Sequence, residues 1–173
     1  MMTRRLLWVA GVFVSTLVLS QPAGSIQDLD GQPAPKFSLK NTKGKTVSLS
    51  DFEGNVVLLD FWATWCGPCT YQLPFLDSLA AKYRNRGLVV VGLHVDDRRP
   101  PLSEVEEYLL DKRVHYTNLI STWNVDEAFQ IQAVPTSFII DREGTIQRTH
   151  VGFDARTAPE KIEAHVREVL GLP

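Results

Sequence analysis

The sequence is poor in cysteine, has no marked excess of charge of one sign and contains no internal repeat or low-complexity tract. Two cysteines among 173 residues allow one disulfide at most and cannot alone supply the four ligands of a structural zinc site. The 18 basic and 20 acidic residues give a formal charge of −2, which argues against nucleic acid or an anionic membrane surface as the main partner. A hydrophobic content of 44% at this length predicts one folded domain with a sizeable core.

The N-terminal segment differs in composition from the rest of the chain. Arg4 and Arg5 precede an apolar run from Leu6 to Leu19, and residues 1–25 include no acidic side chain. A basic start followed by a short apolar stretch is typical of a secretory signal, and the run is shorter than the roughly 20 residues of a spanning helix. We therefore expect residues 1–25 to be a signal peptide or an N-terminal membrane anchor. Residues 26–173 then form a domain outside the cytoplasm, in the periplasm or on the outer face of the cytoplasmic membrane.

Apolar periodicity in the body predicts strands that alternate with helices. Alternating apolar and polar residues from Phe37 to Leu39 and from Thr46 to Leu49 indicate a β-hairpin. The further expected strands span 56–62, 88–95, 116–120, 136–140 and 145–151, and the expected helices follow Cys69 up to Gly87 and span 103–113, 126–130 and 158–170. Ser103 and Glu106 have the spacing of a capping box at the start of the second helix. This alternation predicts an α/β fold around a central sheet.

Cys66 and Cys69 fall at the predicted junction of a strand and a helix. The exposed amides and the dipole of a helix N-terminus stabilise a thiolate, and Cys-x-x-Cys settings lower a thiol pKa from about 8.5 to roughly 3.5–7.5. Cys69 lies one helical turn beyond Cys66, within reach to resolve a mixed disulfide, and Gly67 and Pro68 permit a tight entry into the helix. The pattern predicts a cycle between dithiol and disulfide.

Other uses of the cysteine pair fit the sequence less well. A structural disulfide that closes so short a loop constrains the unfolded chain very little. A zinc site needs two further ligands, and none of the four histidines is paired at a ligand spacing. A c-type haem site needs histidine directly after the second cysteine, where this chain has Thr70. A copper or zinc carrier that uses Cys66, Cys69 and a histidine such as His94 is kept as an alternative function.

Two segments carry a family resemblance. The stretch from Asp60 to Cys69 resembles the active-site segment of thioredoxins, and Val134 to Thr136 resembles their cis-proline segment. The frame over residues 30–170 is similar to the exported TlpA/ResA-like branch of the thioredoxin superfamily. The resemblance implies a thioredoxin-like fold: a central mixed β-sheet flanked by helices, with an N-terminal β-hairpin and a central helix-strand insert at Ser103 to Ile120. It implies no bound cofactor, only the redox-active disulfide Cys66–Cys69.

The resemblance also implies roles for individual residues. Cys66 would be the nucleophile, Cys69 the resolving thiol and Asp60 a buried acid behind the motif. A carboxylate in an apolar strand is costly unless it is paired, protonated or used, so we expect burial to raise its pKa and to let it accept a proton from Cys69. The implied substrate-binding residues are Trp65, Gly67, Pro68, Val134, Pro135 and Thr136. A cis Val134–Pro135 bond would leave the Val134 backbone free to pair with a substrate strand.

The activity implied by the resemblance is that of an exported thiol-disulfide oxidoreductase. Its partners would be specific protein disulfides, for example in cytochrome c maturation, and a membrane thiol transporter that donates electrons. Membrane contact would involve the N-terminal segment only. A redoxin-type peroxidase is the alternative enzyme, although such enzymes have a threonine three positions before the reactive cysteine and this chain has Ala63.

Overall fold

A five-stranded sheet organises the chain in the computed structural model, which describes residues 29–95 and 100–173. The strands are β1 (Ser38–Lys40), β2 (Thr46–Ser48), β3 (Val56–Trp62), β4 (Leu88–His94), β5 (Thr117–Ile120), β6 (Thr136–Ile140) and β7 (Ile146–Val151). The α-helices are α1 (Cys69–Tyr83), α2 (Leu102–Asp111), α3 (Trp123–Ala128) and α4 (Ala158–Leu170). The order across the sheet is β5-β4-β3-β6-β7, and β1 and β2 form a separate antiparallel hairpin.

The sheet is mixed, as the family resemblance implies. Strands β3, β4 and β5 run parallel, whereas β6 is antiparallel to β3 and forms an antiparallel hairpin with β7. All residues of β3 are buried, because helices or loops cover both faces of this central strand. The insert of α2 and β5 adds the edge strand beside β4. The fold is therefore a thioredoxin-like α/β fold with the expected N-terminal hairpin and insert.

The two faces of the sheet bury different sets of apolar side chains. On one face, Leu58 of β3 packs with Leu76 of α1 and Val166 of α4. On the other face, Phe61 packs against Phe129, with ring centroids 5.2 Å apart. Side chains alternate between faces along a strand, so Asp60 shares the face of Leu58 and lies beneath the helices. This alternation places the acidic side chain on the side of the sheet that carries α1.

The predicted capping box at Ser103 is wrong. Helix α2 begins at Leu102, and Pro101 occupies the N-cap position with φ −53° and ψ 141° and no side-chain capping hydrogen bond. The ring of Pro101 fixes φ in the range required there, so the chain turns into the helix before it reaches Ser103. The helix expected at 126–130 begins earlier, at Trp123, and Gln130 lies beyond its end with φ 54°.

The predicted signal peptide or membrane anchor, residues 1–25, lies outside the described part of the chain. Across residues 29–95 and 100–173, no helix has the length and apolar character needed to cross a membrane.

Candidate active site

The cysteine pair lies where β3 passes into α1. Cys66 and Cys69 form a disulfide with their Cα atoms 5.3 Å apart, and Cys69 is the first residue of α1. The backbone N–H of Cys69 donates a hydrogen bond to Cys66 Sγ over 3.2 Å. Cys66 is 4% exposed, whereas Cys69 is fully buried. The helix N-terminus is thus directed at the sulfur of the more accessible cysteine, where it would stabilise a thiolate after reduction.

Three of the implied substrate-binding residues form the surface beside Cys66. Trp65 is 58% exposed, and Gly67 and Pro68 are exposed as well. Pro68 has φ −61° and ψ −30°, a helical geometry that leads directly into α1. In contrast, Trp62 is fully buried. Trp65 therefore offers an apolar contact surface, whereas Trp62 belongs to the core.

The proline loop lies against the cysteines. The Val134–Pro135 peptide bond is cis, as expected, and the Val134 side chain packs against the apolar cluster that contains Cys66 and Cys69. Within the described ranges, the backbone N–H and carbonyl of Val134 form no hydrogen bond. These two groups are suited to pairing with an extended segment of another chain.

Thr136 has a supporting position in the same loop. Its side chain is buried, and its Oγ1 donates a hydrogen bond to the carbonyl of Ala133 over 2.8 Å. The backbone of Thr136 pairs with Phe61 on one side and Val151 on the other. Pro135 is buried too. Of the three predicted residues in this segment, Val134 thus has backbone groups without a hydrogen-bond partner among the described residues, and Thr136 supports the shape of the loop.

Asp60 is fully buried in the middle of β3. Burial raises the pKa of its carboxyl group from 3.8 to about 7, and a hydrogen bond from Ser137 opposes this rise. The Ser137 hydroxyl donates to Asp60 Oδ1 over 3.0 Å, and Gln72 Nε2 donates to the same oxygen over 2.7 Å. A carboxyl group with a pKa near 7 can accept and release a proton at neutral pH.

Gln72 and Ser137 are site residues that the sequence analysis missed. Gln72 lies one turn after Cys69 on the buried face of α1, and Ser137 is the register partner of Asp60 across β3 and β6. The polar side chain of Gln72 on an otherwise apolar helix face could have indicated a buried hydrogen bond, because buried polar groups in proteins are hydrogen-bonded. The contact between Ser137 and Asp60 depends on strand register, for which the sequence had no local signal.

The histidine considered for a metal carrier packs in the core. His94 is buried, and its ring meets the Trp62 ring edge-on with centroids 4.9 Å apart. In the part of the chain that the structure describes, no group of three or more His, Cys, Asp or Glu side chains could hold a metal ion. The geometry gives no observation in favour of the carrier alternative.

A disulfide at the first turn of a helix, facing a cis-proline loop on a mixed sheet, is the arrangement of thioredoxin-like oxidoreductases. The chain belongs to the AhpC/TSA family, which it matches over residues 31–149.

Three similar proteins are named as thioredoxin-like or as thiol-disulfide oxidoreductases or interchange proteins. The chain is 33% identical over 155 residues to thioredoxin-like protein YneN of Bacillus subtilis, covering 84% of this chain and 89% of YneN. It is 30% identical over 143 residues to the thiol-disulfide oxidoreductase ResA of Bacillus cereus, covering 80% of this chain and 78% of ResA. A crystal structure of a thiol:disulfide interchange protein, DsbE, from Chlorobium tepidum superposes with a TM-score of 0.75 at 34% identity, covering 82% of this chain and 97% of that chain. The TlpA/ResA-like resemblance and the thiol-disulfide oxidoreductase class are confirmed.

Proposed function

We propose that the chain is an exported oxidoreductase that reduces specific protein disulfides through Cys66 and Cys69. The observation that carries the proposal is the hydrogen bond from the Cys69 amide to Cys66 Sγ, since it favours a thiolate on the cysteine that a substrate can reach. The exposed Trp65 ring and the half-buried Val134, whose backbone has no hydrogen-bond partner among the described residues, would give a protein substrate both apolar and hydrogen-bonding contacts.

The reaction transfers two electrons from the dithiol to the substrate. The Cys66 thiolate attacks one sulfur of the substrate disulfide, forms a mixed disulfide and releases the other substrate sulfur as a thiolate. Cys69 gives its proton to the Asp60 carboxylate, and its sulfur then attacks Cys66 Sγ. The Cys66–Cys69 bond forms as the bond between Cys66 and the substrate breaks, which releases the second substrate thiolate. The two substrate thiolates take up protons from Asp60 and solvent.

The cellular setting forms part of the proposal. The basic and apolar composition of residues 1–25 and the relatives ResA and DsbE support a domain outside the cytoplasm, either secreted to the periplasm or held by its N-terminus. Return to the dithiol needs two electrons from another dithiol, and we assign that role to a membrane thiol transporter. Disulfides formed during cytochrome c maturation are the substrates that the relationship to ResA and DsbE favours.

The test is to trap substrates covalently in the exported compartment. Cys69→Ser removes the resolving sulfur, so we expect partner proteins to accumulate in mixed disulfides on Cys66, visible on non-reducing gels and identifiable by mass spectrometry. Cys66→Ser is the matched control and should trap nothing. Equal trapping by both variants would contradict the assigned roles.

The direction of electron flow needs a separate measurement. A reductant is expected to have a reduction potential close to the roughly −270 mV of thioredoxin. A value near the roughly −120 mV of the oxidant DsbA, measured against glutathione, would overturn the reductant assignment and leave the enzyme class intact. Consumption of peroxide at rates similar to disulfide reduction would instead favour the peroxidase alternative.

A further inference from the structure

The carboxyl group of Asp60 is buried, and no described residue supplies a countercharge. Among the described residues it forms no ion pair, and its Oδ2 has no hydrogen-bond partner. Its register neighbour on β4 is Gly92, where an added Cβ would come within 2.1 Å of Asn118 Oδ1. That oxygen accepts a hydrogen bond from Trp62 Nε1 over 2.9 Å. Since this bond fills the space beside Gly92, β4 has no room for a cationic side chain facing Asp60.

Two neutral hydrogen-bond donors, rather than a cation, contact the Asp60 carboxyl group. Gln72 Nε2 lies 2.7 Å from Asp60 Oδ1 and 2.7 Å from Ser137 Oγ, and the Ser137 hydroxyl donates to the same Asp60 oxygen. Gln72 is 1% exposed, so no solvent competes for its amide. Because Gln72 follows Cys69 by one turn on the buried face of α1, it connects the helix that carries the resolving thiol to the acid on β3.

We propose that Gln72 is a positioning residue for the resolving step, which acts through Asp60 by setting the pH at which the carboxylate can take the proton of Cys69. The inference rests on the proposed function, because it concerns the proton transfer that activates Cys69.

The physical basis is the preference of a hydrogen-bond donor for the charged form of its acceptor. Burial raises the pKa of Asp60, and the hydrogen bond from Ser137 lowers it. A second donor to the same oxygen, such as the Gln72 amide, should act in the same direction. Without the Gln72 amide, Asp60 would stay protonated to a higher pH and would leave the proton on Cys69. Among the described residues, Tyr116 is a titratable group near this site. Burial and the Asp60 charge raise its pKa well above 10, so it remains neutral and supplies no competing charge.

The experiment uses the full chain and 5,5′-dithiobis(2-nitrobenzoate) as the disulfide probe. Attack by Cys66 releases one thionitrobenzoate, and attack by Cys69 on the resulting mixed disulfide releases a second, so the second release reports the resolving step. In Gln72→Met, which keeps an unbranched side chain but lacks the donor, we expect the pH midpoint of the second release to rise by roughly one to two units. The first release should keep its pH profile.

Two further variants make the result specific. Ser137→Ala removes the other donor and should move the midpoint in the same direction, which keeps the inference testable if Gln72→Met does not fold. Leu76→Met alters packing one turn further along α1 without touching Asp60 and should leave the midpoint unchanged. A second release that is slowed equally at all pH values in both donor variants would show a merely structural role and overturn the inference.

The variant Cys69→Ser separates an error in the role of Cys69 from an error in the role of Gln72. Cys69→Ser must abolish the second release while the first continues. If the second release persisted in that variant, the assigned role of Cys69 would fail. If it vanished there, but the midpoint stayed fixed in Gln72→Met and Ser137→Ala, the inference about Gln72 alone would be wrong.

Discussion

Replacing Asp60 with asparagine should change the stability of the protein in a strongly pH-dependent way, increasingly in favour of the variant as the pH rises. The carboxyl group has a pKa of about 7 in the folded protein against an ordinary value of 3.8, and burial is the main cause. The folded state therefore binds more protons than the unfolded state between these two values. The contribution of Asp60 to stability is complete below pH 3.8 and is lost as the pH rises through 7.

The size of the effect follows from the same two pKa values. Each pKa unit corresponds to about 1.36 kcal/mol, so an ionised Asp60 costs about 4 kcal/mol of the free energy of unfolding relative to its protonated form. In Asp60→Asn, the new side chain would keep an oxygen to accept from Gln72 and Ser137, whereas its amide nitrogen would stand where Oδ2 now has no partner among the described residues. That unsatisfied donor costs roughly 1–3 kcal/mol, but the cost is the same at every pH.

The assay is urea unfolding of the oxidised wild type and Asp60→Asn between pH 4 and pH 8, followed by tryptophan fluorescence. The difference in free energy of unfolding should change by about 4 kcal/mol in favour of Asp60→Asn across this range. Asp111→Asn is the matched control, because Asp111 is exposed and its pKa is lowered by its hydrogen bond with Lys112. A difference between wild type and Asp60→Asn that stays constant within about 1 kcal/mol would refute the reasoning.

Two further predictions concern other buried polar contacts. Gly92→Ala should lower the free energy of unfolding by about 1–3 kcal/mol, because the new methyl group would overlap Asn118 Oδ1, and urea unfolding at a single pH measures it. His150 has a pKa lowered to about 4 by burial and by the neighbouring His165, so the wild type loses stability as the pH falls from 6.5 towards 4. His150→Gln should show a smaller loss, by up to about 3 kcal/mol, in urea unfolding curves over that range; equal losses would contradict the assignment.

Features encoded within one short segment were predictable from the sequence. The continuous apolar run gave β3 its bounds, Val56–Trp62, because a strand buried on both faces needs apolar side chains on both. The Cys66–Cys69 pair was recognisable because both sulfur atoms and the helix start lie within four consecutive residues. The capping-box prediction failed at Ser103. The backbone geometry of Pro101 starts the helix at Leu102, so Ser103 lies inside the helix.

Contacts between distant segments were not predictable in the same way. His165 Nδ1 lies 3.2 Å from His150 Nε2 although the two belong to α4 and β7, and no sequence spacing indicated this pair. Their proximity arises from the packing of a helix on an edge strand. The pKa of His150 is consequently a property of the tertiary structure, since its burial and its neighbour both depend on that packing.

The same distinction applies to the chemistry of the active site. The Cys-x-x-Cys motif identifies the sulfur atoms that react, because both are fixed by the start of one helix. The hydrogen bonds that Asp60 accepts depend on the register that places Ser137 beside it and on the helix packing that brings Gln72 to the same oxygen. A shift of one residue in the pairing of β3 and β6 would turn Ser137 to the opposite face and leave the carboxylate one donor fewer. If Asp60 takes the proton of Cys69 as proposed, two chains with the same motif will resolve mixed disulfides at different pH values.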